Sequence, residues 1–116
     1  MSYRSEVAIL LNDKAVKTMP AQIKEYFDHL FTKTEQENGD VLFHGNCLKW
    51  QAWQHNDVEC IEDFLMHTLN PDNEEFYEFL RVGEGEEDVE HMTNNDDAEE
   101  RLTTNSYIEF DCKVIK

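Results

Sequence analysis

Carboxylates are the side chains this sequence supplies in quantity. Residues 71–100 hold 13 Asp or Glu against a single base, Arg81, and the densest run is Glu84-Gly85-Glu86-Glu87-Asp88-Val89-Glu90. Calcium binding is the first chemistry such a run suggests, but it lacks the Asp-x-Asp-x-Asp-Gly order and the closing glutamate of an EF-hand loop. His44, Cys47, His55 and Cys60 could be drawn around zinc, yet their spacings match no finger and they spread over different elements. Cys47 with His44, or Cys112 with any histidine, could be drawn as nucleophile and base. No strand-turn-helix nucleophile signature surrounds either thiol. Gly83 and Gly85 are followed by acids that would repel a phosphate, so no phosphate-binding loop is present. The expectation is a protein that is not an enzyme, with no metal site and no cofactor.

What remains for the carboxylates is electrostatic. The chain has 116 residues with 10 bases and 26 acids, a formal charge of −16. Residues 1–70 hold 11 acids against 6 bases, and residues 101–116 hold 2 acids against 3 bases, so three quarters of the net charge lies in residues 71–100. Blocks of like charge repel and resist packing, which makes a solvated loop that aids solubility the plain reading. The functional reading is mimicry of nucleic acid. Alternate strand residues or i, i+4 helix residues set carboxylates about 6 to 7 Å apart on one face, and DNA carries one charge per about 3.4 Å of axis on each strand. Glu74, Glu75, Glu78, Glu84, Glu86, Glu87, Asp88 and Glu90 are the residues expected to form such a face, followed by Asp96, Asp97, Glu99 and Glu100. It would be steered toward a basic groove, strongly at low salt and weakly at high salt. Direct binding of nucleic acid through phosphates is not expected, because it needs clustered Lys and Arg.

Specificity needs an apolar anchor beside the charge. Trp50 and Trp53, with Lys49, lie between a predicted strand and a predicted helix, and Phe76 begins a predicted strand. Such aromatics either roof the core or anchor a protein partner. Cys47, Cys60 and Cys112 cannot all pair within one chain and form no Cys-x-x-Cys arrangement, so they read as reduced thiols packed in apolar segments.

Positioning these groups falls to an alternation of strands and helices. Tyr3 to Leu11 carries apolar residues on both faces toward its end, the pattern of a central strand. Asn12 and Asp13 can cap a short turn through Met19, and Pro20 suits the first position of a helix running to about Thr32, with Ile23, Phe27, Leu30 and Phe31 as its buried stripe. Thr34 to Glu37, a tight Asn38-Gly39 turn and Asp40 to Trp50 predict a hairpin, with Gly45 marking a bulge. Asn56 begins a second helix with Glu59 placed for a capping box, and Val58, Ile61, Leu65 and Leu69 as its stripe. Asn70-Pro71-Asp72-Asn73 stops that helix, and Phe76 to Gly83 is a strand with Phe76, Leu80 and Val82 on one side. A last strand sets Ile108, Phe110, Cys112 and Val114 against Tyr107, Glu109, Asp111 and Lys113.

This order predicts an α+β two-layer sandwich: about five strands in an antiparallel or mixed sheet, two helices on one face, and a ferredoxin-like core with an added C-terminal strand. Residues 1–116 fit a single domain with an acidic insertion at about 84–104. Apolar residues are 40% of the chain and aromatics 11%, enough for a core that includes Val7, Ile9, Phe27, Leu30, Phe43, Ile61, Leu65, Leu80, Ile108 and Phe110. No apolar run approaches the roughly 18 residues of a membrane span, and Met1 to Glu6 lacks a signal-peptide start, so a soluble cytoplasmic protein without a membrane partner is expected. Charge repulsion favours a monomer or dimer.

Ser2-Tyr3-Arg4-Ser5-Glu6-Val7-Ala8, Lys49-Trp50, and Phe79-Leu80-Arg81-Val82-Gly83-Glu84 followed by Glu87-Asp88-Val89-Glu90 resemble a family of small acidic proteins of tailed bacteriophages and prophages. The resemblance implies a bacterial host cell as the setting. By analogy with acidic DNA mimics it implies a basic host or defence protein as partner, such as a nuclease, a restriction or CRISPR complex, or the transcription machinery. A phage structural or assembly protein, whose acidic loop confers solubility alone, is the alternative, and an extensive repeated interface would distinguish it.

Overall fold

A computed structural model describes residues 4–50, 56–84, 88–95, 101–104 and 108–110. Strand β1, Ser5–Leu11, sits at the centre of a sheet, and Val7 through Leu11 are wholly buried, as apolar residues on both faces require. Asn12 ends it and caps helix α1, Asp13–Thr18, by accepting the Ala15 N–H at 3.0 Å. Pro20 stands at the N-cap of α2, Ala21–Leu30, one position earlier than the sequence predicts. Phe31 is already extended, so the chain enters β2, Thr32–Glu35, without a loop; the helix is shorter than predicted for that reason.

The hairpin to β3, Val41–Leu48, differs in type from the predicted two-residue turn. Gly39 N–H donates to the Gln36 carbonyl and Gln36 N–H to the Asp40 carbonyl, closing a three-residue loop with Gly39 at φ +94°. That positive φ is why glycine stands there. The predicted bulge is present: Ser5 pairs with Leu48 but Val7 with Gly45, leaving Glu6 opposite both Asn46 and Cys47. Gly45 also lets α2 approach, because a Cβ there would lie 2.8 Å from the Leu30 carbonyl oxygen.

Helix α3, Asn56–Asp63, continues into a π-helical turn at Phe64–Thr68, and a short 3₁₀ turn, Pro71–Asn73, leads to β4, Tyr77–Val82. Asn56 is already the first helical residue and, among the described residues, no side-chain hydrogen bond joins it to Glu59, so the predicted capping box is not formed. Strand β5, Val89–Thr93, pairs with β4. The sheet order is β2-β3-β1-β4-β5 and every neighbouring pair is antiparallel. Its first four strands with their helices have the β-α-β-β-α-β connectivity of a ferredoxin-like core.

The added fifth strand is not the C-terminal one. It is cut from the stretch 84–104 expected to be an acidic insertion, where Met92 packs on the helix-side core opposite Phe79 and Glu90 opposes Arg81. The segment predicted as the last strand contributes β7, Ile108–Phe110, which pairs with β6, Leu102–Thr104, in a separate two-stranded ribbon. Cys112 and Val114 lie outside the described residues.

Two cores result. Helices α1 to α3 cover one face of the sheet, where Phe27 makes ring contacts with Phe31, Phe43 and Phe64 among Val7, Ile9, Leu11, Ile61, Leu65 and Phe79. On the other face Ala8, Leu10 and Leu80 pack against Leu102 of the ribbon, with Leu42, Phe76, Ile108 and Phe110 around them. Leu30, Ile108 and Phe110, expected in the core, are half-buried at its margin. No helix of the described residues is long and apolar enough to cross a membrane.

Candidate protein-binding surface

The acids expected to form one outward face have been put to several uses. Glu78 is 4% exposed and points into the second core. Its carboxylate accepts the backbone N–H groups of Arg101 (3.0 and 3.1 Å) and Leu102 (3.0 Å), and its Oε2 lies 2.8 Å from His91 Nε2. It is a structural acceptor and not part of a surface. A strand's two-residue period sends Glu78 to the side of Phe76 and Leu80, the side the ribbon covers.

Glu74 and Glu75 stand at the turn into β4. Glu74 has a left-handed φ of 60° and pairs with Lys14 at 3.0 Å, while Glu75 accepts the Asn70 N–H at 2.9 Å and the Thr18 hydroxyl. Glu84 is exposed and accepts the Arg4 N–H at 3.0 Å. Asp88 and Glu90 flank Arg81, at 2.7 and 3.7 Å from its guanidinium. Glu86, Glu87 and Trp53 lie outside the described residues.

The proposed apolar anchors are not exposed together. Trp50 is 8% exposed and belongs to the helix-side core, 5.8 Å from Phe31 and 5.9 Å from Phe79 between ring centroids. Its Nε1–H donates to Glu62 Oε2 at 3.3 Å. It cannot anchor a partner from there. Phe76 is half-buried against the second core.

A second acidic group, which the sequence reading passed over, lies on α3. Asp57, Glu59, Glu62 and Asp63 fall within eight residues, with Glu59 and Asp63 exposed one helical turn apart. Among the described residues no Lys or Arg forms an ion pair with these four; Asp63 meets His67 at 3.9 Å. Burial lifts the Glu62 carboxyl above its ordinary value, the Trp50 hydrogen bond opposes that shift, the charge of Glu90 adds to it and Arg81 partly offsets it. Glu62 on α3 and Glu90 on β5 are thus near enough for their charges to oppose one another. Met66, 48% exposed on the π-helical turn, is an uncovered apolar side chain at the end of that helix. The local signal for this group was available in Asn56-Asp57-Val58-Glu59-Cys60-Ile61-Glu62-Asp63. It was diluted when charge was counted over residues 1–70.

Among the described residues the drawn chemical clusters do not assemble, and Cys112 lies outside them. His44 Nε2 lies 2.6 Å from Glu6, Cys60 is half-buried on α3, and His55 lies outside the described residues. Cys47, expected in the core, is exposed on the β3 bulge with φ +57°. Among the described residues no group of three or more His, Cys, Asp or Glu could hold a metal ion. Comparison with known proteins finds no matching family model, no matching curated protein and no matching solved structure.

Proposed function

We propose that this chain is a non-enzymatic acidic binding module of phage origin that occupies a basic groove on a host or defence nucleic-acid-binding protein, acting as a DNA mimic or inhibitor in the host cytoplasm. The observation carrying this reading is the acidic edge of Asp57, Glu59, Glu62 and Asp63 on α3 with Glu90 on β5. Among the described residues Lys14, Lys17, Lys33 and Arg101 form their ion pairs away from this edge and only Arg81 reaches it, at Glu90, within a chain whose formal charge is −16. Such a surface supplies long-range attraction to a basic groove, and the shape of the edge with Met66 supplies discrimination at contact.

The test is affinity capture from bacterial lysate at about 0.15 M salt, repeated at about 0.5 M, where the screening length is much shorter. A nucleic-acid-binding protein recovered at low salt and lost at high salt is the expected result. Charge reversal of Glu59, Asp63 and Glu90 to Lys should weaken its binding, and so should reversal of Glu86, Glu87 and Asp88 if the acidic surface extends through them. Unchanged affinity in both variants would reject the acidic edge. Large symmetric assemblies in light scattering, without such a partner, would favour a structural phage component instead.

A further inference from the structure

The β6–β7 ribbon is attached to the main sheet in an unusual way. Among the described residues no backbone-to-backbone hydrogen bond joins the two, and the ribbon forms a sheet of its own. Sheet carboxylates hold it instead, one for each strand. Glu78 of β4 takes the successive N–H groups of Arg101 and Leu102 at the start of β6, the arrangement in which a backbone cups an anion. Glu6 of β1 takes the Ile108 N–H at the start of β7, at 3.0 Å. Each carboxylate is backed by an imidazole, His91 on Glu78 and His44 on Glu6. The Arg101 side chain adds a contact to Asp40 and lies over the Phe110 ring, 5.1 Å from its centroid.

We propose that this ribbon is a releasable cover, which detaches as a unit while the five-stranded sheet and its helices stay folded. Strands β1 to β5 are tied by backbone ladders, and opening the central ones costs the whole fold. Releasing the ribbon costs two carboxylate attachments, the Arg101 contacts, the burial of Leu102 and the packing of Ile108 and Phe110, a smaller set drawn from one contiguous segment, as cooperative sub-global units are. Release uncovers Ala8, Leu10 and Leu80, which are buried with the ribbon in place, and extends the partly exposed Leu42 into an apolar strip across β3, β1 and β4. The proposal is independent of the acidic edge, which involves α3 and the opposite side of the sheet.

Amide hydrogen exchange followed residue by residue on the full chain tests it. In the unmodified protein Leu102, Thr103 and Phe110 should exchange at least tenfold faster than Ile9 and Leu10. Glu78→Gln leaves one acceptor oxygen where two N–H groups and an imidazole converge, and should speed ribbon exchange at least a further tenfold with Ile9 and Leu10 unchanged. Glu6→Ala, which touches β7 instead, should do the same if Glu78→Gln fails to fold. Ribbon amides exchanging in step with Ile9 and Leu10, in the unmodified protein or in a folded variant, would overturn the proposal.

Discussion

Arg101 Nη1 lies 3.0 Å from Asp40 Oδ2, and the two side chains, 61 positions apart in sequence, are 2% and 4% exposed. The pair joins the end of the β2–β3 hairpin loop to the start of the ribbon. Its worth is in the penalty for breaking it, because two charges removed from water repay desolvation only while each has the other. Arg101→Met alone should therefore lose about 3 to 5 kcal/mol of stability by urea unfolding. Combined with Asp40→Leu it should recover most of that loss, since the double variant buries no unpaired charge.

Gly45→Ala should destabilise by about 1 to 3 kcal/mol. The added methyl would sit 2.8 Å from both the Leu30 carbonyl oxygen and Leu48 Cδ1, and the first of these is backbone that cannot rotate away. A thermal midpoint equal to that of the unmodified chain would contradict the tight packing of α2 on β3.

Ile61→Ala should cost about 2 to 5 kcal/mol, because the side chain is wholly buried between α3 and the sheet. Phe110→Ala should cost less. Its ring is half-buried and contributes mainly by covering the ribbon face and lying under Arg101. Parallel urea titrations give the ordering directly.

Glu62 supplies a pH dependence. Its carboxyl is raised in the folded chain, first by burial, so the proton is held more tightly folded than unfolded. Its contribution to stability is full below the ordinary carboxylate value of 4.5 and is lost as pH rises through the higher folded value. Glu62→Gln keeps an oxygen to accept from Trp50 and removes the ionisation. It should raise the thermal midpoint at pH 7, with the gain shrinking as pH falls through the raised folded value and gone below about 4.5.

Local punctuation made much of the fold legible. Asn12 as a cap, Pro20 ahead of a helix, Gly39 in a hairpin and the two-sided apolar run of β1 each have a short-range cause, and the strand order follows from antiparallel connections between them. Strand β5 was masked by its own acids: Glu90 is tolerated there because Arg81 opposes it on β4, a partner that periodicity within residues 84–104 does not reveal. Glu78 was misread for the same reason, and the burial of Arg101 was not anticipated. A charged residue is placed inside only when its partners are brought to it, and those partners are Asp40, His91 and the ribbon backbone. Trp50 had two plausible fates, and the closure of α3 over β4 decided between them.

The π-helical turn after α3 accommodates one residue more than a regular helix would over the same rise. Leu69 N–H reaches back five positions to the Phe64 carbonyl at 3.1 Å, and this widened turn is what lets Phe64, Leu65 and Leu69 all be buried. Length variation at this point is therefore decoupled from core composition. A related chain one residue shorter between Phe64 and Leu69 would rewind to ordinary helix and keep its inward stripe, while the exposed Met66 position would turn to a new bearing. A single-residue gap here would mark a change of helix type that leaves the sandwich intact and re-aims its outer surface.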